Sequence, residues 1–157
     1  MERVEAINYS IRDIPPEKIR FHTCYSIDVG PRIHDMELRD IVDIILTINA
    51  GAYSFEAANP RHEHEYHVFE QVKLPEGKIL IPGVISHTTN LVEHPELIAE
   101  RIARFATLVG RENVIAGADC GFAASAVRFN DTHPSVAWLK FTALAEGARL
   151  ATRGLWR

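Results

Sequence analysis

Cysteine is scarce in this chain: Cys24 and Cys120 are the only two among 157 residues. A disulfide-stapled scaffold is therefore excluded. Long apolar runs are missing too, and none approaches the ~20 residues that span a bilayer. The opening stretch, MERVEAINYSIRDIPPEK, is charged and lacks the apolar core of an export signal. The expected compartment is the cytoplasm, where thiols stay reduced and a metal or catalytic role outranks pairing of the two cysteines. A strong charge of one sign is also absent. The net charge of −4 argues against a nucleic-acid or anionic-membrane surface. The common catalytic signatures G-x-S-x-G, G-x-x-x-x-G-K-[ST] and G-x-G-x-x-G do not occur.

What is there is an ordinary globular composition, 46% apolar and 24% charged. The length suits one compact domain with a real core. No repeat, low-complexity tract or linker divides it, so residues 1–157 read as a single domain. Glu5 to Ile11 is amphipathic and stops at Pro15-Pro16. Ile19 to Tyr25 alternates as a short strand, broken by Gly30-Pro31. Leu38 to Ile48 carries apolar residues at helical spacing and ends at Asn49-Ala50-Gly51. Ala52 to Glu56 is a second strand, and the polar stretch Asn59 to Glu70 suits a helix. Lys78 to Ile85 is a third strand. Pro95 opens a helix with one apolar stripe (Leu97, Ile98, Ile102, Phe105, Val109), closed by Gly110. Asn113 to Gly117 is a fourth strand, and Pro134 to Leu150 a last helix. Strands alternating with helices predict an α/β fold with a parallel sheet. A complete (β/α)8 barrel needs about 250 residues, so the expectation is about four strand-helix units, half of such a barrel.

Each predicted strand ends in a residue fit for chemistry: His22 with Cys24, then Glu56, His87 and Cys120. In a parallel α/β fold the carboxyl ends of the strands share one face, where sites are built. His22 and Cys24 are two apart on a strand and so point the same way. Imidazole and thiolate suit tetrahedral zinc, and Cys120 adds a second sulfur. Asp119-Cys120-Gly121 also allows a cysteine nucleophile with His87 as base, but that leaves His22 and Cys24 without a role. The run Arg61-His62-Glu63-His64-Glu65-Tyr66-His67 is a rival ligand cluster. It lacks the H-E-x-x-H spacing, and reads better as a polar segment near the cleft. Arg61 suits a carboxylate or sulfonate. His34, His94 and His133 read as surface or capping residues.

The pieces HTCYS, AYSFE, GVISHTTN and GADCG resemble the zinc-site segments of the cobalamin-independent methionine synthase family, in its C-terminal catalytic barrel. The longer stretches SFEAANPRHEHE, LPEGKILIPGVISHTTNLVEHPEL and LVGRENVIAGADCGF are similar to its methionine-synthase-II-like branch, which includes epoxyalkane:coenzyme M transferase. The resemblance implies a Zn2+ ion held by His22, Cys24, Glu56 and Cys120, with His87 as proton donor. It implies a thiol alkyltransferase acting on a small thiol and an alkyl donor: methyl transfer from 5-methyltetrahydrofolate to homocysteine, or epoxide opening by coenzyme M. The matching region is the last four strand-helix units of the barrel. The expected partner is therefore a second copy or another polypeptide that closes it, the alternative being an inactive fragment.

Overall fold

The computed structural model describes residues 2–25, 33–123 and 132–157. The Gly30-Pro31 break lies outside the described residues. The chain opens with helix α1 (Glu2–Ser10), followed by strand β1 (Arg20–Thr23), helix α2 (Leu38–Ile45) and strand β2 (Ala52–Phe55). A 3-10 helix (Glu63–Glu70) leads to strand β3 (Ile79–Ile85), helix α3 (Pro95–Val109), strand β4 (Gly117–Ala118) and helix α4 (Pro134–Leu155). The four strands pair in sequence order, all parallel. This is an α/β fold of strand-helix units, as the alternation in sequence predicts.

Helix boundaries follow local chemistry. Both α3 and α4 begin at a His-Pro pair, with Pro at the position that needs no N–H. The preceding His94 and His133 side chains accept from Glu96 N and Ser135 N, so these two histidines are caps. Helix α2 ends before the expected Ile48, because the Thr47 hydroxyl takes the Ile44 carbonyl at 2.6 Å. The fourth strand begins later than expected. Arg111–Asn113 forms a 3-10 turn, and only an isolated Leu80–Val114 bridge precedes Gly117. The register between β3 and β4 then shifts between Gly83 and Ile85, a bulge that re-aims the chain at the strand end.

On β2 and at the start of β3, period-2 alternation decides which side chains meet the first set of helices. Tyr53, Phe55 and Leu80 join Leu38, Val42, Phe69 and Phe105 in one buried cluster. Val84 and Ile85 pack with Ile98, Ile102, Ala143 and Ala151 in a second. A Cβ at Gly147 of α4 would sit 2.5 Å from Ile98 Cγ2, so α3 and α4 approach at a contact that only glycine permits. On β1, Arg20 and His22 are exposed while Phe21 is half-buried. The register sets His22 beside Ser54, on the sheet face away from the first cluster.

Glu63 ties the 3-10 helix to α3. It takes Arg101 Nε and Nη2 at 3.1 Å each and Arg104 Nη1 at 3.3 Å. Burial alone raises its pKa, but the two guanidiniums outweigh that and hold it below the ordinary 4.5. A carboxylate depressed on folding contributes stability that is present above pH 4.5 and lost as pH falls through the folded value. Glu63→Gln is therefore expected to be less stable than wild type by about 1–3 kcal/mol at pH 7. Urea midpoints of the two proteins should converge as pH drops below 4.5, and a gap that widens on acidification would contradict this assignment.

Candidate metal centre

The carboxyl ends of all four strands lie along one edge of the sheet, and the predicted residues gather there. The ligand atoms of His22, Cys24 and Cys120 all lie within 4.8 Å of one another. The two sulfurs are 3.2 Å apart, beyond a disulfide bond of about 2.05 Å. Tetrahedral zinc with Zn–S near 2.3 Å sets two thiolate ligands about 3.8 Å apart, so a small opening of the pair admits the ion. His22 Nδ1 is 3.1 Å from the Ser54 hydroxyl, an outer contact that fixes the ring and leaves Nε2 for an ion. Two thiols and an imidazole at one point, two of them exposed and one half-buried, fit a zinc ion by donor chemistry and spacing.

A model of the cobalamin-independent synthase catalytic domain matches residues 15–137. The chain belongs to the cobalamin-independent synthase family. A B12-independent methionine synthase from Shewanella sp. W3-18-1, solved in complex with selenomethionine, superposes with a TM-score of 0.73 at 20% identity. The match covers 98% of this chain and 43% of that one. The chain thus spans less than half of that structure, and the fold it shares is part of a TIM-barrel-like architecture. No curated protein matches.

Within this member of the synthase family, Glu56 stands beside the three-residue cluster. Its Oε1 is 3.4 Å from Cys24 Sγ and accepts Tyr25 N at 3.0 Å. Its Oε2 accepts Asn59 Nδ2 at 2.9 Å. The carboxylate is fully buried and held from both sides. His87 follows β3, between Glu56 and Cys120 in strand order, and is also buried. Its carbonyl accepts the Thr132 hydroxyl at 3.0 Å. The preceding Ser86 N donates to Glu93 Oε1 at 2.7 Å.

The rival histidine run separates by burial. His64 and His67 are exposed, whereas His62 is buried. The His62 ring stacks on Tyr25 with centroids 3.9 Å apart. Its nitrogens meet Glu65 at 2.8 Å and Asp35 at 3.2 Å. Burial lowers this ring's pKa, but the two carboxylates outweigh it and leave it raised above 6.5. Glu65 in turn accepts Leu38 N, at the start of α2, where negative charge is favoured. His62 is therefore a brace behind the Cys24-Tyr25 turn. Arg61 donates to the Ile33 carbonyl at 3.3 Å and remains partly exposed.

Sequence reasoning overlooked Asp119. Its side chain is fully buried and its Oδ1 accepts Ala57 N at 2.8 Å and Ala58 N at 2.7 Å. Oδ2 takes Asn59 Nδ2 at 3.2 Å. Burial pushes its pKa up to about 6 against these bonds, and the nearby Glu56 charge acts in the same upward direction. The available signal was a carboxylate directly before a candidate ligand at a strand end.

Proposed function

We propose that this chain carries the zinc half of a thiol alkyltransferase site, with His22, Cys24, Glu56 and Cys120 as ligands and His87 as proton donor. The observation that carries the reading is the convergence of His22, Cys24 and Cys120 within 4.8 Å at one sheet edge. A zinc ion held by these residues would supply Lewis acidity that favours the thiolate form of an incoming thiol. As ligands, Cys24 and Cys120 would bind as thiolates, and their two negative charges would keep that sulfur electron-rich. Ser54 orients His22, while Tyr25 N and Asn59 hold Glu56 against the cluster.

The favoured reaction is methyl transfer from 5-methyltetrahydrofolate to homocysteine or a related thiol. The thiolate sulfur attacks the methyl carbon, the carbon–nitrogen bond breaks, and a His87 ring nitrogen gives its proton to the departing nitrogen. Family membership supports this class, and the similar solved synthase was captured with selenomethionine, the selenium counterpart of a methylated thiol product. The branch resemblance of the longer stretches keeps epoxide opening by coenzyme M as the second reading. There the same proton goes to the opening alkoxide.

Among the described residues four strands form the sheet, with β1 and β4 at its edges, an association liability, whereas a closed barrel has eight strands. We assign the missing strands to a second copy or to another polypeptide, and the cytoplasm as the compartment that keeps both thiols reduced. Among the described residues no helix is long and apolar enough to cross a membrane. The test is metal analysis and mass in solution, with thiol alkylation assayed on the resulting assembly. One zinc per chain is expected, with turnover lost on chelation and reduced about 10²–10⁴-fold by His87→Gln. Protein without stoichiometric zinc, or turnover indifferent to chelation, would overturn the reading.

A further inference from the structure

Strands β2 and β4 are not neighbours, because β3 lies between them. Even so, Asp119 at the end of β4 bonds directly to the two residues that follow Glu56 at the end of β2. Its Oδ1 receives Ala57 N and Ala58 N. The carboxylate reaches them by crossing β3 at Gly83. A Cβ at Gly83 would lie 2.0 Å from Asp119 Oδ1 and 2.7 Å from its Cα, so any other residue there closes the path. Asp119 N also donates to Ile85 O at 3.0 Å, which pins the same residue to β3. Finally, Asn59 Nδ2 donates to Glu56 Oε2 and to Asp119 Oδ2, spending one amide hydrogen on each carboxylate.

We propose that Asp119 is a positioning residue: by spanning β3 at Gly83 and locking onto the end of β2, it sets Cys120 against Cys24 and Glu56. The inference rests on the metal-site reading for its purpose, but its geometry stands apart from any metal. Cys120 is the next residue after Asp119, so a shift of the carboxylate moves the sulfur with it. Cys24 is placed from the other side, through Tyr25 N on Glu56, the residue just before the segment that Asp119 holds. The separation between the two sulfurs thus depends on the bridge between β4 and β2. A buried carboxylate is retained there because two adjacent backbone N–H groups and an amide satisfy it.

Two readouts on one variant series test this. The first is zinc affinity by chelator competition, with the Co2+–thiolate spectrum as a report of ligand geometry. The second needs no metal: the rate at which diamide, which accepts two electrons and two protons, joins Cys24 and Cys120 as a disulfide. Asp119→Ala is expected to lose about 10–100-fold in zinc affinity, as outer partners of metal ligands do, and to slow disulfide formation. Asp119→Asn keeps an oxygen for both N–H groups but sets an amide nitrogen against Asn59 Nδ2, so it should recover part of each, more than Asp119→Ala. Gly83→Ala leaves the carboxylate chemistry intact but displaces it, and should reproduce the loss. If Asp119→Ala does not fold by circular dichroism, Asp119→Glu carries the same test, because it moves the oxygens by one methylene. Wild type without zinc affinity, but with disulfide formation that depends on Asp119, would sink the metal reading and keep this inference. Folded variants matching wild type in both readouts would overturn the inference.

Discussion

Serine at either Cys24 or Cys120 is expected to weaken zinc binding by more than about 100-fold, beyond the 10–100-fold typical of an outer partner. The reason is in the donor chemistry. A serine hydroxyl is close in size to a thiol, but at neutral pH it keeps its proton and offers a harder oxygen. The sulfurs lie 3.2 Å apart, too close for two full negative charges without a cation between them. Binding must therefore expel thiol protons, and affinity should fall as the pH is lowered. Glu56→Gln is expected to be milder, because both Glu56 oxygens already hold protein donors in Tyr25 N and Asn59. Isothermal titration at two pH values, in buffers of different ionisation enthalpy, measures the affinity and the protons released together. Unchanged affinity in both serine variants would contradict a thiolate-held ion at this edge.

The sheet and the cluster were legible in the sequence for a common physical reason. Strand-helix alternation implies parallel strands, and parallel strands bring their carboxyl ends to one edge. His22, Cys24 and Cys120 could thus be placed together although far apart in the chain. Period-2 alternation set His22 and Cys24 on one side, and the register adds Ser54 to it. What escaped was whatever depends on contacts between non-adjacent elements. Nothing local to Asp119 says that its carboxylate ends on Ala57 and Ala58, because that contact needs Gly83 and the bulge after it. His62 was set aside with its neighbours, since composition cannot tell that it is buried against Tyr25 while His64 and His67 face outward. The late start of β4 escaped as well. Asn113 reads as a strand residue, but its side chain bonds back to Val109 O at 2.8 Å and holds the chain in a turn.

Lys140 carries the largest expected effect on stability. It sits on α4, in a helix that sequence periodicity alone reads as amphipathic, yet its side chain has no exposed surface. Its ammonium donates to Glu93 Oε2 at 2.8 Å and to the Leu91 carbonyl. The other Glu93 oxygen receives Ser86 N, one residue before His87. Desolvating such a pair is costly, so its presence is no measure of net stability, but removing one partner strands a buried charge. Lys140→Ala is expected to cost about 3–5 kcal/mol, a drop in Tm of roughly 10 °C for a chain of this size. Lys140→Met with Glu93→Gln removes both charges and still offers Ser86 N an acceptor, so the double variant should recover most of the loss. The same cycle separates stability from function. The single variant loosens the turn that carries His87, and its alkylation rate should fall even below the temperature where it unfolds. The double variant should regain rate and stability together. A Lys140→Ala protein within 1 kcal/mol of wild type by urea denaturation would contradict the assignment of the Lys140–Glu93 pair as the tie between α4 and the end of β3.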